Sequence, residues 1–331
     1  MIYLLLMAVA GSLLLLGFLL WQRSFDRWLT ENIKYRALIV VLWVYMVPWV
    51  WMRPPYEMLF GMAPRGESAI AAGTGDPGCG AAYPFWEEWH GMLINIRGAA
   101  EGKWFLLAGI VWGSGAVVLM TVKLLVYIYE RNLLWSAAEE WEKEKLADTA
   151  ALSQEPGGMD RVRIYRIPGE RISFAAGWLR PVIFLQETST DREQEWILRH
   201  ELIHVARRDA LLRWLLEWNC CLHWWNPLIY VLKGYFLALR ESSCDEQVVE
   251  GCTKEERAAY ARLIIENMQK QRRKQPFISG LGNDYKRTRR RIELIMREKK
   301  INRAGKRTAI SCFVLLVILN SLTACLYPGL R

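Results

Sequence analysis

Past the middle of the chain lies the sequence Leu198-Arg199-His200-Glu201-Leu202-Ile203-His204-Val205. Its apolar residues recur at helical spacing, which predicts one helix over residues 191–211. Side chains four residues apart on a helix lie about 5–6 Å from each other, so His200 and His204 can bind one Zn²⁺ ion. Glu201 then stands where it can take a proton from a water molecule that attacks a peptide carbonyl. Two of the chain's four histidines fall in this H-E-x-x-H pattern.

A catalytic zinc site needs a third protein ligand and leaves the fourth position to water. The next predicted helix, over residues 228–249, follows Asn226-Pro227, an N-cap residue and a proline at the first helical position. This helix carries Glu241 and Asp245 four residues apart on one face. In such an arrangement the first acid binds the metal, and the second hydrogen-bonds a ligand histidine. The pattern therefore predicts one zinc ion held by two histidines and Glu241.

Two other residues near the motif have more than one interpretation. His223 competes as a third ligand because imidazole suits zinc, but in its tryptophan-rich surroundings a packed histidine is the alternative. Asp209 is predicted to orient a ligand histidine or the helix end, or else to pair with Arg207 or Arg208.

The segments before the motif predict a small sheet, and hence an α+β domain. Residues 162–167 alternate apolar and polar side chains, which is typical of a strand, and Pro168-Gly169 follows as a turn. Residues 172–174 and 181–185 read as further short strands. After the helix of Glu241, another helix is predicted over residues 253–271.

Long apolar runs indicate a membrane protein with four transmembrane helices. The chain has 331 residues and is 53% hydrophobic. Its longest apolar runs match the roughly 30 Å of a bilayer core when they are helical. The first run has no charged start of the kind that signal peptides carry, so it is predicted to be retained as an anchor. The four spans are predicted at about residues 2–21, 35–52, 104–129 and 308–326.

Basic residues predict the orientation of these spans. Most of the 43 lysines and arginines lie between residues 130 and 307, and residues 22–36 are also basic. Basic segments stay on the cytoplasmic side. The N-terminus, the loop at 53–103 and the tail at 327–331 are therefore predicted outside, and a peptidase domain at 130–307 in the cytoplasm. The net charge of +9 follows mostly from this topology and does not require a nucleic acid partner. The basic segment at residues 286–307 directly precedes a predicted span, so attraction to anionic lipid is the simpler explanation for its charge.

The seven cysteines do not form a disulfide framework. Cys220, Cys221, Cys244 and Cys252 fall in the predicted cytoplasmic domain, a reducing compartment. Free cysteine is usually buried, so these four are predicted to be small apolar core residues.

Several motifs taken together resemble one known family. They are Gly177-Trp178-Leu179-Arg180-Pro181-Val182-Ile183, Leu198 to His204 with Arg208-Asp209, His223-Trp224-Trp225-Asn226-Pro227-Leu228, and Arg240-Glu241 to Cys244-Asp245-Glu246. On these residues the chain resembles the BlaR/MecR-type integral-membrane zinc metallopeptidases, which are gluzincin-like antibiotic-sensing transducers of the bacterial cell membrane.

The resemblance implies that His200, His204 and Glu241 bind zinc and that Glu201 is the base. It also implies cleavage of a cytoplasmic repressor-like protein, or of the chain itself. Residues 182–185 would be the sheet edge to which a peptide substrate adds. The family's antibiotic transducers carry a penicillin-binding sensor domain after the last span. Only residues 327–331 follow it here, so a signal would have to enter through residues 53–103, an extracellular sensor partner or a second copy of the chain.

Other functions are compatible with the same motif. One is a non-catalytic signalling scaffold with a structural metal, which a closed set of four protein ligands would favour. A site-2-type intramembrane protease is another, but Arg213, Glu217 and Lys233 make residues 210–239 a poor span. A membrane quality-control protease shares the ligand pattern and would place more membrane sequence before Glu241.

Overall fold

The computed structural model describes residues 2–47, 103–137, 139–140, 162–167, 173–177, 181–186, 191–274, 281–297 and 302–325. These residues form nine helices and four strands. The helices are α1 (Ile2–Phe25), α2 (Glu31–Met46), α3 (Lys103–Ala137), α4 (Asp191–Ala206), α5 (Asp209–Leu222), α6 (Pro227–Val248), α7 (Lys254–Lys274), α8 (Leu281–Met296) and α9 (Arg303–Cys325). The strands are β1 (Glu139–Glu140), β2 (Arg163–Ile167), β3 (Phe174–Ala176) and β4 (Val182–Gln186).

Three helical segments are long and apolar enough to cross a membrane. They are Leu4–Phe25, Leu106–Leu133 and Arg303–Ser321, and they overlap the first, third and fourth predicted spans. Helix α2 follows the predicted span at 35–52 as far as Met46, while residues 48–52 lie outside the described part of the chain. The chain is thus mostly helical with three candidate spans, and the count of four stays a prediction. The predicted loop at 53–103, apart from residue 103, and the tail at 327–331 also lie outside the described residues.

The four strands form one sheet in the order β1-β2-β4-β3. Strand β4 runs parallel to β2 and antiparallel to β3. The prediction that residues 182–185 form the sheet edge was therefore wrong, because β3 covers them and is itself the edge on that side. The reason is visible in the side chains, since four consecutive residues of β4, from Val182 to Leu185, are buried. Burial on both faces is typical of a strand in a covered sheet, and pairing with β2 on one side and β3 on the other makes β4 an interior strand.

The predicted helix over 191–211 is broken in two. Arg208 adopts a left-handed backbone conformation, with φ 56° and ψ 38°, so α4 ends at Ala206 and α5 begins at Asp209. A left-handed conformation is uncommon outside glycine and persists where the surrounding structure holds it. Here Arg207 and Asp209 on either side are joined by a 2.7 Å ion pair. The break turns Asp209 back toward the end of α4.

Two large hydrophobic clusters organise the helices. The first joins α1, α2, α5, α6 and α9 through residues such as Phe18, Leu38, Leu216, Phe236 and Phe313. The second joins β4, α4, α6, α7 and α8 through Ile183, Leu198, Val248, Tyr260 and Ile295. Helix α6 takes part in both, with its first half in one cluster and its last turns in the other. Glu241 lies on α6 between these two parts.

Helices α5 and α6 form a hairpin that packs against the apolar helices. The indole N–H of Trp112 on α3 donates to the Leu222 carbonyl at 2.9 Å, and the ring of Tyr127, also on α3, packs edge-on against Trp214. The Asn226 amide at the hairpin turn donates to Ser12 of α1 at 3.0 Å. The helix that follows the H-E-x-x-H motif is therefore held by the N-terminal and third apolar helices.

Candidate metal centre

The two histidines of the motif converge on one point. Their Nε2 atoms lie 3.2 Å apart, and the rings stand at 81° to each other. Two nitrogens bound tetrahedrally to zinc at about 2.0–2.1 Å would lie about 3.3 Å apart. Helix α4 thus presents His200 and His204 at a separation that fits one zinc ion.

Glu241 of α6 faces the same point. Its carboxylate oxygens lie 3.5 Å from the Nε2 of His200 and 3.8 Å from that of His204. Arg240 donates to it at 2.6 and 3.1 Å, and Arg291 lies 3.6 Å away. Burial opposes the charge, but the hydrogen bond with His200 and the charges of Arg291 and Arg240 hold the pKa of Glu241 well below its usual value. The side chain is therefore ionised, as a metal ligand must be.

Cys244 is a further residue at this point, and the sequence interpretation missed its role there. It is buried, as predicted, but its sulfur and the ring nitrogens of His200 and His204 lie within 4.8 Å of one another. Burial opposes the thiolate, yet the two histidines lower the pKa of the Cys244 thiol. Thiolates are good zinc ligands. The sequence could have indicated this position, because Cys244 lies three residues after Glu241 and therefore shares a face of α6 with it.

Glu201 lies between α4 and the sheet. It is buried, and the backbone of Ala175 in β3 is among the groups that act to lower its pKa. Burial raises the pKa of Glu201 despite the opposing charges of His200 and His204. A carboxylate with a raised pKa is a better proton acceptor near neutral pH than an exposed one.

His204 is anchored by Asp209. The Nδ1 of His204 lies 2.6 Å from Asp209 Oδ2, and Arg207 donates to the same oxygen at 2.7 Å. Tyr35 of α2 donates its hydroxyl hydrogen to Oδ1 at 2.7 Å. Burial opposes the charge, but the hydrogen bond from His204 and the charge of Arg207 lower the pKa of Asp209. An ionised Asp209 accepts the Nδ1 proton, so Nε2 is the nitrogen of His204 that faces the metal position.

His200 is anchored through a second buried carboxylate. Its Nδ1 lies 3.0 Å from the Tyr260 hydroxyl, which donates to Asp245 Oδ1 at 2.9 Å. Because that hydroxyl hydrogen goes to Asp245, the Nδ1 of His200 is the donor in the first bond, which leaves Nε2 as the ring nitrogen that would bind a metal once its proton is released. Arg291 pairs with both oxygens of Asp245, at 2.7 and 2.9 Å. Asp245 itself is 3.5 Å from Nδ1, so Tyr260 mediates the contact.

Arg291 corrects one interpretation of the sequence. It belongs to the basic segment assigned to anionic lipid, yet it turns inward to Asp245 and Glu241. The sequence could have indicated this orientation, because Arg291 and Ile295 are four residues apart on α8 and share a face. Ile295 is buried. Tyr260 of α7, also missed, stands in an apolar helix face without a motif around it.

His223 does not join this centre. It is buried at the end of α5, and its Nε2 lies 3.0 Å from the backbone oxygen of Tyr45. Its ring packs edge-on against the Tyr45 ring. The packed alternative for His223 therefore describes its position. Among the described residues, the ligand atoms that all lie within 4.8 Å of one another are those of His200, His204 and Cys244, while the Glu241 carboxylate approaches the two histidines.

Comparison with known proteins gives the family. The sequence profile of the family described as BlaR1 peptidase M56 matches residues 2–295. The regulatory protein BlaR1 of Bacillus licheniformis is 26% identical over 192 residues, which are 56% of this chain and 32% of that protein. The methicillin resistance mecR1 protein of Staphylococcus aureus is 32% identical over 79 residues, which are 24% of this chain and 14% of that protein. The chain thus aligns with about a third or less of the length of these relatives, whereas the family profile covers most of the chain. The chain therefore belongs to the BlaR1 peptidase M56 family of membrane metallopeptidases.

Proposed function

We propose that the chain is a zinc-dependent endopeptidase of a membrane signal transducer, and that it cuts a cytoplasmic repressor-like protein or itself. The observation that carries this proposal is the convergence of the His200 and His204 Nε2 atoms beside the buried carboxylate of Glu201. Both histidines also have their other ring nitrogen fixed. A site whose ligands are oriented in this way is built for one metal and one reaction geometry.

His200, His204 and Glu241 would hold the zinc ion. When bound, zinc lowers the pKa of water to about 7 and polarises a carbonyl group. Arg240 and Arg291 keep the carboxylate of Glu241 aligned with the histidines. Asp209 and Tyr260 fix the imidazole rings, so that no reorientation of the ligands is needed during turnover.

Glu201 would be the general base. Its carboxylate takes the proton of the attacking water, and the same oxygen returns it to the amine of the cut peptide bond. The raised pKa that burial gives Glu201 favours holding the proton between these two steps.

A peptide substrate would bind along β3. This strand is the edge of the described sheet on the side of Glu201. An extended chain that pairs with an exposed edge gains main-chain hydrogen bonds whatever its side chains are. The proposed substrate segment is therefore an extended stretch of a cytoplasmic protein, or of this chain.

The topology forms part of the same proposal. The distribution of basic residues supports an N-terminus outside and a peptidase domain at residues 130–307 in the cytoplasm of a bacterial cell. The apolar helices α1, α3 and α9 are proposed to anchor it in the lipid bilayer, with α2 as the fourth span. We propose that a signal reaches the metal centre from the membrane region, from a sensor partner or from a second copy of the chain.

A structural metal is the second candidate, and Cys244 is the observation that favours it. If its sulfur completed a set with His200, His204 and Glu241, four protein ligands would leave no position for water. The chain would then act as a signalling scaffold. Both candidates require bound zinc, and they differ in whether peptide bonds are cut.

The deciding experiment compares cells that express the wild-type chain with cells that express Glu201→Gln. New protein N-termini are quantified by mass spectrometry across the proteome, and the zinc content of the purified chains is measured. We expect the variant to keep one zinc ion, because Glu201 is not a ligand, and to lose cleavage by about 10²–10⁴-fold, the usual contribution of a general base.

The matched control is Glu195→Gln, the same change at an exposed position of α4. It should leave both measurements at the wild-type level. Unchanged N-termini with Glu201→Gln would overturn the mechanism. Zinc binding without any new N-termini from the wild-type chain would favour the scaffold.

A further inference from the structure

The carboxylate that anchors His204 is shared with a helix outside the peptidase domain. Asp209 Oδ2 is the partner of His204, and Oδ1 accepts the hydroxyl hydrogen of Tyr35 at 2.7 Å. Tyr35 lies in the second turn of α2, and its side chain is 2% exposed. A buried tyrosine hydroxyl needs a hydrogen-bond partner. Of all the polar groups along α2, this one reaches the anchor of a metal ligand.

The ring of Tyr35 also makes a contact, with the arginine that pairs with Asp209. The Arg207 guanidinium lies over this ring, 4.4 Å from its centroid. Arg207 then donates to Asp209, to Ser243 Oγ at 2.9 Å and to the Arg240 carbonyl at 3.2 Å. Tyr35 therefore contacts both Asp209 and the arginine that pairs with it.

Helix α2 is fixed to the metal centre at a second point. The backbone N–H of Asn32, in its first turn, donates to the Glu246 carboxylate at 3.0 Å. Glu246 directly follows Asp245, the carboxylate behind His200. Tyr35 packs against Phe236 of the same helix α6, with ring centroids 5.2 Å apart. Helix α2 is therefore held at three places, by the Tyr35 hydroxyl, by the Tyr35 ring and by the backbone of its first turn. We expect a shift of α2 to move Asp209, because the Tyr35 hydroxyl is bonded to it.

We propose that Tyr35 is a positioning residue for the metal centre, and that through Asp209 it couples helix α2 to the zinc affinity of His204. This inference rests on the proposed function, because it takes His204 as a zinc ligand. Without the hydroxyl, Oδ1 of Asp209 loses its shorter hydrogen bond and is left with the 3.3 Å bond from Arg207 Nε, so the carboxylate is held less firmly against His204. The ligand is then less well oriented, so zinc binds more weakly and turnover falls.

The test uses the full chain in lipid nanodiscs and the variant Tyr35→Phe. This change removes one oxygen and keeps the ring that packs against Phe236 and Arg207. Zinc affinity is measured by competition with a chromophoric chelator, a readout that does not depend on activity. Loss of an outer hydrogen-bond partner typically costs 10–100-fold in metal affinity, and we expect about tenfold here.

The matched control is Tyr45→Phe. Tyr45 is buried on the same helix, but its hydroxyl bonds to Ser12 of α1 at 3.0 Å. Its zinc affinity should stay within about twofold of wild type, since sites without shared partners act independently. Equal affinities for Tyr35→Phe and Tyr45→Phe would overturn the proposal.

A double-mutant cycle shows whether the effect passes through Asp209. In an Asp209→Ala chain, we expect Tyr35→Phe to change the zinc affinity no further, because the shared carboxylate is gone. A full tenfold additional loss would overturn the coupling and indicate a general packing effect. Failure of the proposed function can be told apart from failure of this coupling. In the first case the wild-type chain itself would bind no zinc or cut no peptide bond, independently of any change at Tyr35.

Discussion

The two histidines of the centre are held by two different parts of the molecule. The support of His200, hereafter the peptidase support, consists of Tyr260, Asp245 and Arg291, from α7, α6 and α8. The support of His204, hereafter the membrane-side support, consists of Asp209, Arg207 and Tyr35, and it reaches α2.

The same chemistry is used in both supports. Each has a buried carboxylate paired with one arginine and hydrogen-bonded by one tyrosine. A buried carboxylate without such partners would be costly. The two supports differ in the helices that they join, because the peptidase support forms within the cluster that contains the sheet, whereas the membrane-side support is completed by Tyr35 of α2. The half of the centre around His204 is thus in direct hydrogen-bond contact with α2.

The largest effect is expected at the peptidase support, from Arg291→Met. The change leaves the buried carboxylate of Asp245 without its paired charge, and breaking such a pair costs about 3–5 kcal/mol. The free energy of unfolding, measured by chemical denaturation of the zinc-free chain in mild detergent, should fall by about this amount. Arg290→Met is the control, since Arg290 is exposed on the same helix. Equal destabilisation by both variants would contradict the inward role of Arg291.

The next effect separates the two candidate third ligands that lie between the supports. Glu241→Ala removes a charged ligand of the proposed set, and we expect the zinc affinity to fall by on the order of 100-fold or more. Cys244→Ala should lower it less than tenfold if the sulfur is only a neighbour of the histidines. Chelator competition on both variants gives the ranking. The reverse ranking would make Cys244 the ligand and favour the structural metal.

The local parts of this architecture were predictable from sequence. Periodicity placed His200 and His204 on a helix, and the spacing of Glu241 and Asp245 put them on one face of another. The apolar runs of α1, α3 and α9 were long enough to stand out. In each case the signal lies within one element, where side-chain direction follows from the backbone period.

The remaining parts depend on contacts that no local pattern encodes. The left-handed Arg208 interrupts a helix whose residues are good helix formers. The pairing of β3 with β4 decides which strand is the edge, and a three-residue strand has little periodicity to show it. Tyr35 is 174 positions from Asp209 along the chain, inside a run that reads as a span. Arg291 looks like one solvated cation among several, and only packing of α8 on α6 and α7 turns it inward.

The smallest expected effect is a loss of zinc affinity at the peptidase support, which can be compared directly with the loss at the membrane-side support. Tyr260→Phe removes the hydroxyl between His200 and Asp245, and we expect about a tenfold loss of zinc affinity, of the same order as for the hydroxyl of Tyr35. Tyr235→Phe is the control, because Tyr235 packs on the cluster of apolar helices and should leave the affinity unchanged.

The double variant Tyr35→Phe with Tyr260→Phe then tests whether the supports are separate. They share no hydrogen-bond partner, so the two losses should multiply to within about twofold. A combined loss no greater than either single one would mean that the two histidines are oriented by one continuous network. In that case a shift of α2 would act on the whole centre, because His200 would lose its orientation together with His204.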